Sequence, residues 1–327
     1  MKEESNVPAS NKIPAAKKGV DRRAVIDVGT NSVKLLVADI KKKHVEPILE
    51  KSEQTRLGRG FYETHRLQAD AIKLTADAVA EFVKTARSTG AASIRIIATS
   101  AARDAKNPQD LITAIETRAH LPLEVISGEQ EAELAFRGVC TDAKLTRSPL
   151  LILDVGGGST EFILGEDGHQ QFRESFQLGT VRLLEQLPHS DPPSHDELEG
   201  CRVWLRHFLH ERVAPKLLPA LQAKAKVKLV GTGGTTTILA RMQHCLDTFD
   251  RDMIESTPLS RSEIQAHVEK LWRMPLKERQ NIVGLPPKRA DVILFGTVIF
   301  EAIMEQFNFE ELQVSMRGLR YAALLEN

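Results

Sequence analysis

The same strand–turn–strand occurs twice in this chain. Ile26-Asp-Val-Gly-Thr-Asn-Ser-Val-Lys-Leu-Leu-Val37 and Leu153-Asp-Val-Gly-Gly-Gly-Ser-Thr-Glu-Phe-Ile-Leu164 repeat Asp, Val, Gly and Ser in register, and the offset, 154 − 27, is 127 residues. Two unrelated hairpins could share turn residues, but here each copy opens one of two similarly sized halves, which is the mark of a duplicated unit. A total of 327 residues accommodates about two domains. The expected fold is therefore α/β in two lobes: a tail over 1–21, an N-terminal lobe over 22–143 and a C-terminal lobe over 144–327. The last helix would be free to pack back on the first lobe.

Periodicity supports alternation of strands and helices. Ala24–Asp27 and Val33–Ile40 read as strands, Leu67–Ser88 as a helix with Ile72, Ala76, Val79 and Val83 on one face, and Ser93–Ala98 as a strand. Asn107-Pro108 opens another helix, and Ser127-Gly-Glu-Gln130 is an S-x-x-Q capping box that starts a helix running to about Val139. In the second half, Leu150–Asp154, Thr160–Leu164, Val227–Val230 and Leu312–Ser315 are strand-like. Thr235–Cys245, Ser260–Trp272, Pro286–Phe307 and Leu319–Leu325 are helical.

Composition limits the partners. Lys+Arg and Asp+Glu are 44 each, so no general excess of positive charge is available for nucleic acid or a membrane surface. Aromatics are 5%, too few for base stacking along a strand. Cys140, Cys201 and Cys245 are far apart with no CxxC, which fits a reducing compartment. The tail has no apolar stretch of signal-peptide length, and the longest apolar run, Val292–Phe300, is far short of the roughly 20 residues of a membrane span. A cytoplasmic location is expected, with no nucleic-acid or membrane partner. A polyanion would have to be held by a local cluster.

Three glycine-rich turns could form one. Asp27-Val-Gly29-Thr30-Asn31-Ser32 and Asp154-Val-Gly156-Gly157-Gly158-Ser159 connect strands, and Gly231-Thr-Gly233-Gly234-Thr-Thr-Thr237 follows a strand and opens a helix. Each can bring backbone N–H groups close to phosphate oxygens. None is a GxxxxGK[ST] loop. Asp27 and Asp154 end strands, where a carboxylate can face a site and hold hydrated magnesium, and Glu161 stands on the strand after the second turn.

Glu131 sits four residues after Ser127, where an apolar residue would normally pack back on Ile126. It shares a face with Leu134, Ala135 and Gly138, so a carboxylate heads the inward stripe. Arg103 follows a strand end, and Arg289 lies in Pro286-Pro-Lys-Arg-Ala-Asp291 ahead of an apolar helix; a guanidinium suits phosphate oxygens. His207, His210 and Glu211 make no HExxH motif, and Lys41-Lys-Lys43 reads as a solvated turn.

These residues resemble the exopolyphosphatase/guanosine pentaphosphate phosphatase (Ppx/GppA) family of the actin–sugar kinase–Hsp70 superfamily. The resemblance runs from about Arg23 to Leu325 and rests on IDVGTNSVKLLV, ATSAARDAKN, ISGEQEAELAF, LDVGGGSTEF, LGTVRL, VGTGGTTT, PPKRADVILFG and VSMRGLRYAAL. It implies two ribonuclease-H-like, actin-like lobes with a central cleft and removal of a terminal phosphate from a linear phosphoanhydride, with Mg2+. It implies Glu131 as general base, and Asp154, Gly156, Ser159, Glu161, Asn31, Arg103, Arg289 and Asp27 as matching site positions.

The catalytic set expected is thus Glu131, Asp154 and Arg103, and the metal set Asp154, Glu161 and Asp27. The phosphate set is Gly29, Thr30, Asn31, Ser32, Gly156, Gly157, Gly158, Ser159, Gly233, Gly234 and Arg289. Longer family members carry a further helical C-terminal portion that this sequence does not show, and Thr180 stands where some members have cysteine. The expected activity is an exopolyphosphatase. Guanosine pentaphosphate shares the terminal anhydride and is the alternative substrate. A sugar or carboxylate kinase and a non-catalytic polyphosphate or nucleotide sensor are the other classes weighed. A homodimer is expected, because a short two-lobe chain offers only a short binding track.

Overall fold

The sheet of the first half starts with a strand apolar on both faces. In β1 (Asp21–Val28), Ala24, Val25, Ile26 and Val28 are all buried, as a central strand requires. It pairs antiparallel with β2 (Val33–Lys41), and β2 pairs antiparallel with β3 (His44–Glu53). On its other side β1 runs parallel to β4 (Ser93–Ala98), which runs parallel to β5 (Leu123–Val125). The order is β3-β2-β1-β4-β5. The computed structural model describes residues 20–42, 44–187 and 189–326.

Most of the tail expected over 1–21 lies outside the described residues, and Asp21 already belongs to β1. The strand extends that far because Arg22, 1% exposed, is paired in register with Asp39 on β2. Its Nε and Nη2 donate to the two Asp39 carboxylate oxygens at 2.7 and 3.1 Å, and Nη1 donates to the Thr89 carbonyl at 2.7 Å. A buried guanidinium keeps its place only with its donors satisfied.

The second half repeats the plan. β6 (Leu150–Val155), β7 (Thr160–Glu166) and β8 (His169–Phe176) form an antiparallel meander, and β9 (Lys228–Thr232) runs parallel to β6. An edge strand, β10 (Pro258–Ser260), pairs antiparallel with β11 (Glu311–Ser315), which is parallel to β9. The order is β8-β7-β6-β9-β11-β10. Apart from β10, it is the arrangement of the first sheet. The duplicated turn therefore marks a duplicated ribonuclease-H-like sheet.

The chain divides into two compact units, residues 20–141 with 319–326, and Asp142–Gly318. The helix Leu319–Leu325 belongs to the first: Leu319, Tyr321, Ala322, Ala323 and Leu324 share a core with Val25, Leu36, Ala38, Ile97, Ile126 and Leu134. Arg320 donates to the Leu35 carbonyl and to Glu50, each at 3.2 Å, and Arg23 donates to the Leu324 carbonyl at 2.9 Å. The second unit has its own core around the helix Ile293–Gln306, buried continuously from Ile293 to Met304. The expected single helix Pro286–Phe307 is broken: Pro287–Arg289 is one 3-10 turn, and the Asp291 side chain accepts from Val292 N–H at 2.8 Å just before the α-helix.

Candidate active site

In the first unit the β1–β2 turn is tight, with Gly29 N–H donating to the Ser32 carbonyl at 3.1 Å. Thr30, Asn31 and Ser32 are all buried. The stretch after β3 braces the turn from behind. Gly58 N–H donates to the Thr30 carbonyl at 2.7 Å and Arg56 N–H to the Asn31 carbonyl at 2.9 Å, and any side chain at Gly58 would collide with Thr30. Gln54 Nε2 donates to Asn31 Oδ1 at 3.2 Å, and Asn31 Nδ2 is buried without a protein partner. That amide is a donor awaiting an acceptor. Asp27 stands at the end of β1, in register with Lys34 on β2.

Glu131 lies one turn into the helix Gly128–Val139. The capping box is formed: Ser127 Oγ accepts from Gln130 N–H at 3.2 Å, and Gln130 Oε1 accepts from Ser127 N–H at 2.9 Å. With the box closing the helix end, Glu131 is not needed as a cap. It turns inward, 9% exposed, and its Oε2 accepts from Arg103 Nη1 at 2.9 Å. Arg103 comes from the short helix Ser100–Asp104 after β4, and its Nη1 also lies 3.2 Å from the Ile126 carbonyl. The arginine and the acid, read separately in the sequence, form one ion pair in the structure.

The second unit's turn, Gly156–Ser159, has the same closing bond, Gly156 N–H to the Ser159 carbonyl at 2.9 Å. Its carbonyls are taken by the helix Thr180–Gln186. Thr180 N–H donates to Gly156 O at 3.0 Å, Val181 and Arg182 N–H to Gly157 O at 2.9 and 3.1 Å, and Arg182 Nε to Gly158 O at 2.9 Å. Gly179 has no room for a side chain against Gly157 and Gly158. Tying a turn down by its carbonyls is how a glycine turn becomes a rigid amide cradle. Arg182, Gly179 and Thr180 were visible in the sequence only as a motif without a role. Their work is backbone support, which residue type alone does not show.

Asp154 ends β6, in register with Glu161 on β7 and Thr232 on β9, and Glu161 is in register with Ser175 on β8. Glu161 is 1% exposed, and its Oε1 accepts from Ser175 Oγ at 2.7 Å. After β9 the chain turns at Gly233, with φ 97°, into the helix Gly234–Gln243. A side chain at Gly233 would put its Cβ 2.5 Å from Asp154 Oδ1, so glycine is needed here for both conformation and space. This helix has no side-chain cap, because its N-cap residue, Gly233, has no side chain; the Thr237 hydroxyl donates back to the Gly233 carbonyl at 2.8 Å. The Arg289 guanidinium sits over Gly234, its Nη1 3.4 Å from where a Cβ would stand. An uncapped helix N-terminus with an arginine over its first residue attracts an anion.

Two further supports flank this corner. Arg279 is buried and donates to the carbonyls of Met274 at 2.6 Å and Ala290 at 3.0 Å, pinning the chain next to Arg289. Burial pushes the Glu255 carboxyl above its ordinary pKa; it accepts from Met316 N–H at 3.0 Å and Ser315 Oγ at 3.2 Å, holding the chain ahead of Gly318. A Cβ at Gly318 would stand 2.9 Å from Thr232 Oγ1.

The expected site residues thus fall in two sets. Asp27, Gly29, Thr30, Asn31, Ser32, Arg103 and Glu131 are in the first unit. Asp154, Gly156, Gly157, Gly158, Ser159, Glu161, Gly233, Gly234 and Arg289 are in the second. Among the described residues, no three His, Cys, Asp or Glu side chains cluster as a metal cage. No helix among them is long and apolar enough to cross a membrane.

The Ppx/GppA phosphatase family model matches residues 36–327. Over 308 residues the chain is 33% identical to exopolyphosphatase 2 of Mycobacterium tuberculosis, covering 90% of this chain and 94% of that one. Its fold matches the PPX-GPPA enzyme of Aquifex aeolicus with TM-score 0.75 and 31% identity, covering 94% of this chain and all of that one. It matches an exopolyphosphatase from Cytophaga hutchinsonii with TM-score 0.83 and 28% identity, over 93% and 96% of the two chains.

Proposed function

The chain belongs to the Ppx/GppA phosphatase family and is a phosphoanhydride hydrolase, and from that premise we propose that it removes the terminal phosphate of inorganic polyphosphate, as an exopolyphosphatase. The observation that carries the reading is Glu131, a buried carboxylate on an inward helix face that the capping box does not use and that pairs with Arg103. Such a group can take a proton from water, and Arg103 at 2.9 Å holds it in a fixed orientation.

In the reaction proposed, water attacks the terminal phosphorus in line while Glu131 accepts its proton. Asn31 Nδ2 in the first unit, and in the second the amides of the Gly156–Ser159 turn, the start of the helix Gly234–Gln243 and Arg289, are donors suited to phosphate oxygens and to the charge that grows on them. The proton of the water ends on Glu131, and the shortened polyphosphate leaves as an anion. Among the described residues Asp154, beside Gly233 and in register with Glu161, would hold magnesium; so sparse a carboxylate set suits an ion that keeps its waters and binds substrate phosphates. When bound it would neutralise charge on the phosphate oxygens. Work in a reducing cytoplasm as a homodimer belongs to the same reading; the three cysteines are free, and burial pushes the Cys201 thiol up to about 12.

The test is phosphate release with magnesium from long polyphosphate, tripolyphosphate, guanosine pentaphosphate and ATP, with Glu131→Gln as control. Release from polyphosphate that disappears in the variant is expected. Preference for guanosine pentaphosphate would reassign the substrate, and binding without release would make the protein a sensor.

A further inference from the structure

The Asn31 amide has two unlike ends of nearly equal size, and a fully ionised phosphate offers only acceptors. Turned one way the side chain donates to a phosphate oxygen. Turned the other way it presents a carbonyl oxygen and repels the ligand. Sterics do not decide between them, so a hydrogen bond must.

One residue can supply it. Gln54, the first residue after β3, donates from Nε2 to Asn31 Oδ1 at 3.2 Å, leaving Nδ2 as the unpartnered end of a side chain 6% exposed. We infer that Gln54 is a positioning residue that sets the polarity of Asn31, so that this side chain presents its N–H donors to an ionised phosphate oxygen. The inference rests on the reading that this turn binds phosphate.

The experiment measures the dissociation constant for inorganic tripolyphosphate with magnesium, in a Glu131→Gln background that prevents turnover, by calorimetry. The variants are Gln54→Glu, Gln54→Met, Asn31→Ala and their doubles. A glutamate can only accept, so it draws Nδ2 toward itself and turns Oδ1 toward the ligand. Gln54→Glu should weaken binding about tenfold or more, the range of one hydrogen bond to a charged group, and Gln54→Met, which frees the amide to turn, about threefold, the low end for one neutral hydrogen bond. With Asn31→Ala already present, neither change should cost anything further.

Wild-type affinity in Gln54→Glu overturns the inference. So does a loss that persists undiminished on top of Asn31→Ala, because it would then be a through-space charge effect. If Gln54→Glu does not fold, Gln54→Met and its double decide by the same criterion, and wild-type affinity in Gln54→Met overturns the inference. If Asn31→Ala alone binds as wild type, the phosphate reading of the turn fails instead, which is a distinct outcome.

Discussion

The two units carry the same sheet but differ at the corresponding turn. In the first, the turn is Gly-Thr-Asn-Ser and its polar reach is a side chain, Asn31, oriented by Gln54. In the second it is Gly-Gly-Gly-Ser, with no polar side chain before Ser159 and its carbonyls tied to the helix Thr180–Gln186. Across from Asp27 stands Lys34, and across from Asp154, at the same offset, stands Glu161. After the parallel strand the first unit continues through Thr99 into a five-residue helix bearing Arg103. The second continues through Gly233 into a ten-residue helix with an open N-terminus. The sheet plan is shared and the side chains around the turn differ: a buried Glu131–Arg103 pair in one copy, Asp154 with Glu161 and an open helix N-terminus in the other.

The largest effect that would break this division is on Glu131. Replacing it with Gln should lower turnover roughly 10²–10⁴-fold, the contribution of a positioned general base. Because the capping box does not use this side chain, the melting temperature should stay within a few degrees. Turnover within threefold of wild type would remove the proton acceptor from the first unit.

The next effect tests whether each copy has its own core. Tyr321, 2% exposed on the last helix, belongs to a hydrophobic cluster whose residues all lie in the first unit. Tyr321→Ala should cost about 3–5 kcal/mol, the usual price of emptying a large aromatic site. Calorimetry should show the first unit melting ahead of the second, and a single shifted transition would mean the two fold as one.

Gly233 sharpens the contrast at the chemical corner. Gly233→Ala meets both a positive φ and Asp154 Oδ1 at 2.5 Å, a strain of about 1–3 kcal/mol if it is relieved by moving the carboxylate. Activity should fall roughly 10–100-fold, at about 1.4 kcal/mol per tenfold, with higher magnesium partly restoring it. Thr99, at the matching place in the first unit, has φ −119° and makes no side-chain cap bond, so Thr99→Gly should change turnover less than about threefold, since glycine is tolerated at an N-cap. Equal losses would deny that the corners differ.

Much of this was legible in the sequence, for reasons that also explain what was not. The central strands and the helix Gly128–Val139 announce themselves through continuous apolar runs and a capping box, and the inward place of Glu131 follows from the box. β3 and β8 were not legible. HVEPILEKSE and HQQFRESF are charged, half-exposed strands outside β2 and β7, and an edge strand has only one buried face to write into its sequence. Spacing placed Arg103 and Glu131 at their own sites, but no pattern 28 residues apart signals that they touch. Arg279, Gln54 and Arg182 escaped for a related reason: each works by holding backbone or another side chain, and such contacts exist only after folding.

The smallest effect separates the units by acid. The first unit closes its site helix with a neutral box, Ser127 and Gln130. The second closes two helices with acidic boxes, Ser194–Glu197 at His195–Phe208 and Ser260–Glu263 at Arg261–Trp272. Ser194 N–H at 2.7 Å and the Ser190 hydroxyl at 2.7 Å hold Glu197 down to about 2, and Ser260 N–H and its hydroxyl lower Glu263 in the same way. A carboxyl depressed in the folded state adds stability that is complete above its unfolded pKa, near 4.5, and is lost as pH falls through that value toward the folded one. Both groups are half-buried at helix ends that solvent still reaches, so solvent screens the gain and the loss is local fraying rather than unfolding. Between pH 5 and about 2.5, amide exchange in the first turns of His195–Phe208 and Arg261–Trp272 should therefore speed up, after correction for intrinsic rates, while the first turn of Gly128–Val139 keeps its protection. Glu197→Gln should remove most of the pH dependence at its own helix, leaving the smaller part from Glu199, which Arg202 also holds low, and should leave that of Arg261–Trp272 in place. Equal fraying at Gly128 would mean that the helix carrying Glu131 is sensitive to acid through groups other than its cap.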